Sequence, residues 1–202
     1  MMGKGHMISN AALGTTCVVA LAANMSEENA ITKSMLATLF PEEIVFGFQN
    51  GIYYNAIVFL TLAIFAFVVG TFLPDIDRKQ SVAGKVLYIP LEHRTWTHSI
   101  WAVLLFTVMS FGISVFRFLL LGYVLHIWMD SFSAAGVCFF YPFVKYRKYG
   151  NGAFVAPHHK LKLYHTNTPS EGYFTFFVCM LCILVCILER RGFVSLFHWI
   201  VY

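Results

Sequence analysis

Residues 56–77 read AIVFLTLAIFAFVVGTFLPDID: eighteen residues from Ala56 to Leu73 without a charge, then a proline and two aspartates. With the uncharged residues before it, this run is long enough to cross a hydrocarbon core of about 30 Å at about 1.5 Å per helical residue. Pro74 cannot continue the helix, so it ends the span and turns Asp75 and Asp77 back toward the helix terminus. A membrane helix closed by a pair of carboxylates decides how the rest of the chain is read.

Working outward, Ser99–Phe116 and Phe118–Phe140 are two further apolar runs, divided only by Arg117, which reads as a tight turn between antiparallel helices. Tyr173–Leu188 is another, stopped by Glu189, Arg190 and Arg191. Asn10–Asn24 is shorter and carries Thr15 and Thr16, so it either crosses or lies buried against the others. Lys4 ahead of it and Ala22-Ala23 near its end also suit a cleaved signal peptide. The uncleaved reading is preferred, because cleavage would discard His6.

The composition agrees with a bilayer as the main solvent. Of 202 residues, 58% are hydrophobic and 12% charged, with a mean hydropathy of +0.69; soluble domains carry about 25% charged residues. The expected fold is all-α: a single polytopic membrane domain, residues 1–202, of about five helices (10–24, 56–73, 99–116, 118–140 and 173–188). An acidic loop, 25–55, and a basic loop, 141–172, connect them. The formal charge of +4 is too small and too dispersed for a nucleic-acid binder. Five cysteines, an odd number, lie in or beside apolar segments and read as small packing residues rather than a disulfide framework.

If all five segments cross, Lys4, Arg78, Lys79, Lys85, Arg94, Lys145, Arg147, Lys148, Lys160 and Lys162 share one side, leaving four of the fourteen basic residues on the other. The positive-inside rule places the first side in the cytoplasm. The basic loop, with His158, His159 and His165, reads as an interfacial segment against anionic headgroups.

The three aspartates, Asp75, Asp77 and Asp130, all lie at or within spans. His126 and Asp130 stand four apart, one helical turn, so one face presents an imidazole and a carboxylate. A charged Asp at the centre of a membrane helix costs about 2.5–3.5 kcal/mol, so a function or a helix-stapling hydrogen bond must reward it. The topology brings His6, Asp75, Asp77, His93, His98 and Asp130 toward one membrane face, with His126 a turn deeper. Imidazole nitrogen with carboxylate oxygen is the ligand chemistry of zinc or another borderline divalent ion. Seven candidates exceed one tetrahedral site, and clustered metals suit phosphoester hydrolysis by an activated water.

Gly5-His6, Leu73-Pro74-Asp75-Ile76-Asp77, His93-Arg94-x-x-Thr97-His98-Ser99, Gly122-Tyr123-x-x-His126-x-x-x-Asp130, Ala135-Gly136-Val137 and Tyr141-Pro142-Phe143 occur in this order. In these motifs the chain resembles the YdjM-like family, LexA-binding, inner-membrane-associated metal-dependent hydrolases. That family usually has Gly where this chain has Thr95. The family is in turn similar to the zinc-dependent phospholipase C and single-strand nuclease superfamily, helical proteins with a multinuclear zinc site. The resemblance implies metal ligands at His6, Asp75, His98, His126 and Asp130, with His93 and Asp77 as ligands or their supports, and two or three zinc ions, or manganese. It also implies a bacterial inner-membrane location. Pro169-Ser170-Glu171 resembles a Ser-rich stretch that ends in Glu, which makes Glu171 a catalytic candidate beside His93, Asp77 and Arg94. Arg94 either clamps a substrate phosphate or pairs with Asp77.

The leading expectation is a membrane-embedded metal-dependent hydrolase that cleaves a phosphoester, or an ester, of a lipid at the cytoplasmic face. A metal-binding scaffold or regulator is the alternative. A divalent metal transporter ranks third, because its ligands would be spread through the membrane depth.

Overall fold

A computed structural model describes residues 8–16, 53–144, 147–148, 154–155, 163–165 and 168–188. His6, the second half of the first expected span, nearly all of the acidic loop, and most of the basic loop with His158 and His159 lie outside the described residues. The described chain is mainly helical: α1 (residues 8–16), α2 (Tyr53–Phe72), α3 (Val82–Val86), α4 (Ile100–Gly112), α5 (Val115–Phe132) and α6 (Pro169–Leu188). Two short strands, β1 (Arg147–Lys148) and β2 (Phe154–Val155), pair antiparallel, with Arg147 opposite Val155. Single 3-10 turns cover Leu73–Asp77 and Trp96–His98.

The helix before Pro74 ends as expected: α-geometry stops at Phe72, and Leu73–Asp77 tightens into the 3-10 turn with the proline at its start. Two expected boundaries are corrected. The turn between the third and fourth apolar runs falls at Ile113-Ser114, and Arg117 sits inside the first turn of α5, its Nε bonded to the Ser110 carbonyl. The run 118–140 is not one helix. At Ser133 the hydroxyl donates to the Asp130 carbonyl and accepts from Gly136 N–H, and Gly136 takes the left-handed φ of 67° that a side chain disfavours. Phe139 and Phe140 are therefore apolar residues of a returning segment, anchored where Ile100 N–H donates to the Phe139 carbonyl at 2.9 Å.

Among the described residues, α5 is the one helix both long and apolar enough to cross a membrane. With 13 residues, α4 falls short of the roughly 20 that a crossing needs. The helices nonetheless turn large apolar side chains outward, among them Phe65 on α2, Val108 and Phe111 on α4, and Phe176 and Ile187 on α6. An apolar exterior of this kind fits hydrocarbon rather than water.

The axis of the bundle is the α2–α5 pair. In its outer half Ala63 and Ala66 pack against Phe118 and Leu119. Nearer the aspartates the backbones touch: a β-carbon on Gly70 would overlap the Leu119 carbonyl, and one on Gly122 would overlap the Phe67 carbonyl. This contact brings His126 of α5 against the last turn of α2. On the far side of α5, Met129 joins Val178 and Cys182 of α6, with Ala12 and Leu13 of α1 packed on them.

Candidate metal centre

Three segments meet below the α2–α5 contact: the 3-10 turn after α2, residues 93–99, and the last two turns of α5. The first brings Asp75 and Asp77, the second His93 and His98, the third His126 and Asp130. All but His93 are buried, and the His93 side chain keeps 27% of its surface exposed. Two groups can hold an ion, Asp75–His98–His126 and Asp77–His93–His98, with one ligand atom from each residue within 4.8 Å of the others. Six of the seven sequence-derived ligand candidates are thus brought together.

Each imidazole is held through Nδ1. His126 Nδ1 lies 2.7 Å from the Thr71 carbonyl, which the change from α to 3-10 geometry leaves available at the helix end. His93 Nδ1 lies 2.7 Å from Asp77 Oδ1. His98 Nδ1 lies 3.0 Å from the Thr97 hydroxyl, which itself donates to Asp77 Oδ2 at 2.6 Å. Carbonyl and carboxylate oxygens only accept, so the proton belongs on Nδ1 of His126 and His93. The Thr97 hydroxyl has its proton on Asp77, so His98 must donate to it as well.

In a neutral imidazole so held Nε2 keeps its lone pair, and the Nε2 atoms of His93, His98 and His126 are all buried. They face carboxylate oxygens. His98 Nε2 is 3.2 Å from Asp130 Oδ2; His126 Nε2 is 3.7 Å from Asp75 Oδ1 and 3.9 Å from Asp130 Oδ2; His93 Nε2 is 3.9 Å from Asp75 Oδ1. Lone pairs so close repel unless a proton or a metal cation stands between them. Two ligands bound at 2.0–2.1 Å to one tetrahedral ion stand about 3.4 Å apart, which matches these separations. The donor set fits a divalent ion.

Arg94 does not pair with Asp77. Its backbone takes a left-handed φ of 65°, uncommon outside glycine, and carries the guanidinium inward. There it donates to Asp130 Oδ1 (3.1 Å), Ser133 Oγ (2.8 Å) and the Gly136 carbonyl (2.9 Å). One Asp130 oxygen is thereby fixed on Arg94 while the other faces His98 and His126. Around Asp77, burial raises the carboxyl's pKa, but the hydrogen bond and charge of His93, the charge of His98 and the Thr97 hydroxyl outweigh it and hold Asp77 below the usual carboxylate value.

Glu171 belongs to neither cluster. It lies in the first turn of α6, its N–H bonded to the Thr168 carbonyl. Tyr164 lies between that end of α6 and the centre, donating its hydroxyl to the Met129 carbonyl at 3.1 Å. Burial, then the negative charges of Asp130 and Glu171, push the Tyr164 phenol upward against the pull of Arg94. Sequence reasoning missed Thr71, Ser133, Tyr164 and Gly70, and quoted Thr97 and Gly122 in motifs without assigning them a role. Gly122 stands one turn before His126, the one signal that could have marked a close helix contact there.

A family model described as YdjM inner membrane protein matches residues 1–193. No curated protein and no solved structure matches the chain.

Proposed function

We propose that the chain, which belongs to the YdjM inner membrane protein family, is a membrane-embedded metal-dependent hydrolase that cleaves a phosphoester, or an ester, in a lipid at the cytoplasmic face. The observation that carries this reading is the convergence of three Nε2 lone pairs and two carboxylate oxygens in one buried centre. His93, His98, His126, Asp75 and Asp130 hold the metal, zinc or manganese, in one or more ions, and His6 joins them if the first helix follows the family pattern.

A divalent ion held there would supply a hydrolytic nucleophile at neutral pH and would offset charge on a phosphoryl oxygen. The three aspartates with Arg94 leave the centre two negative charges, so divalent cations, rather than Arg94, must make it receptive to an anionic substrate. His93, the one partly exposed ligand among the described residues, marks the side from which substrate arrives. Arg94 steadies Asp130, and burial of Asp75, His98, His126 and Asp130 excludes bulk water.

Placement supports a lipid substrate. The centre lies at the ends of apolar helices, beside a loop whose Val86, Leu87 and Tyr88 are exposed, where a polar head on acyl tails puts its scissile bond. The bilayer accommodates the outward apolar faces, with the basic loops on the cytoplasmic side. Transport is disfavoured because the ligands gather at one end: Asp75 follows α2, His93 and His98 precede α4, and Asp130 is two residues from the end of α5.

The test is phospholipid turnover by detergent-purified protein, wild type beside His98→Ala and Asp130→Ala, each shown to insert and fold. Turnover by wild type, lost in both variants, is expected. Turnover that persists in the variants contradicts the site, and metal binding without turnover on any phospholipid leaves the non-catalytic scaffold, the role that a LexA-binding regulator would have.

A further inference from the structure

We infer that Asp77 and Thr97 are not ligands or reacting groups but positioning residues, forming a directional hydrogen-bond relay that sets the tautomer of two metal-facing histidines at once. The inference rests on the proposed metal centre and assigns roles within it.

Both oxygens of Asp77 are engaged away from the centre. Oδ1 is 2.7 Å from His93 Nδ1 and Oδ2 accepts from Thr97 Oγ1 at 2.6 Å. An ionised carboxylate has no proton to give, so it orients every group that touches it. His93 is oriented directly. Thr97, having spent its one proton on Asp77, can only accept from His98 Nδ1 at 3.0 Å, and His98 is oriented at one remove. A single carboxylate therefore turns two Nε2 lone pairs toward Asp75 and Asp130. A ligating histidine whose other nitrogen donates to a carboxylate or carbonyl is a recurring arrangement, and here one carboxylate serves two.

Thr97 is held for this task from both sides. It lies in the 3-10 turn Trp96–His98, and its carbonyl accepts the Tyr123 hydroxyl of α5. The side chain is buried and cannot reach other partners by swinging out. The third histidine, His126, does without the relay because the Thr71 carbonyl does the same work. Asp77 is close enough to His93 and His98 to count as a ligand by distance, but each of its oxygens already accepts a hydrogen bond that aims one of those two rings.

The test uses the full chain in detergent with Zn2+ as the probe, its affinity read by competition with a chromophoric chelator, and with the histidine tautomers read by 15N NMR. Thr97→Val keeps shape and removes the relay: zinc affinity falls about 10- to 100-fold, the range seen when such outer partners are removed, and His98 loses its Nδ1–H signature. Thr97→Ser restores affinity to within about threefold and restores the signature. Asp77→Asn, nearly isosteric, can satisfy Thr97 or His93 but not both, so it flips one of the two rings and weakens zinc binding comparably; it serves if Thr97→Val does not fold. Wild-type affinity and an unchanged His98 tautomer in both Thr97→Val and Asp77→Asn overturn the relay. If wild type binds no zinc, the metal centre fails instead, and the tautomers of the metal-free protein still decide the relay by the same variants.

Discussion

The α2–α5 interface changes character within two helical turns. In its outer half, Ala63 and Ala66 meet Phe118 and Leu119 through side chains. In its inner half, Gly70 and Gly122 let backbone meet backbone, and a helix-end carbonyl becomes the orienting partner of His126. The outer half needs only volume and apolarity, which many residues supply. The inner half needs particular atoms at particular distances, because unpaired buried polar groups are costly there.

Gly122→Leu is the strongest way to break this contrast. The added side chain overlaps the Phe67 carbonyl and crowds Thr71, so the helices must separate and His126 must leave Thr71. Loss of folded protein is expected, beyond the ordinary overpacking cost of about 1–3 kcal/mol; a variant as heat-resistant as wild type would show that the backbones do not touch.

Arg94→Met comes next. It leaves Asp130 buried without its cation, at a cost of about 3–5 kcal/mol. The melting temperature should fall steeply in protein stripped with chelator and less in metal-loaded protein, since a bound ion also compensates Asp130. Equal losses in the two states would separate Asp130 from the metal.

Phe118→Leu, in the outer half, should cost less than about 1.5 kcal/mol and leave metal affinity unchanged; a large loss of metal would show that the two halves are not independent. The smallest effect is expected at Cys138, in the returning segment. Burial pushes its thiol up to about 12, against the pull of Arg94, so at pH 8 it holds almost no thiolate. Iodoacetamide should leave Cys138 unmodified in folded protein and label it after denaturation, as peptide mass spectrometry would show.

The sequence made legible what carries unusual chemistry. Pro74 with Asp75 and Asp77, the pair His126 and Asp130, and the doublet His93 and His98 stand out because charge is scarce in this chain, and the structure brings their side chains together. Their supports were not legible. Thr71 acts through a backbone carbonyl, which every residue has, and Thr97 acts through the direction of one proton. Arg94 finds Asp130, 36 residues away, from a left-handed backbone conformation that its residue type does not announce. Apolarity also misplaced two boundaries: Arg117 can lie within a helix when its side chain reaches the Ser110 carbonyl, and Phe139 and Phe140 look like span residues although Ser133 and Gly136 have already turned the chain.

The most direct measurement is metal content by mass spectrometry on detergent-purified wild type beside His126→Ala and Asp130→Ala. Stoichiometric zinc or manganese in wild type, lost in both variants while their helical content is retained, is the result predicted by three imidazoles and two carboxylates sharing one centre. No stoichiometric metal in wild type, and none taken up on adding zinc or manganese, would contradict it and leave these residues as hydrogen-bonding staples between helices.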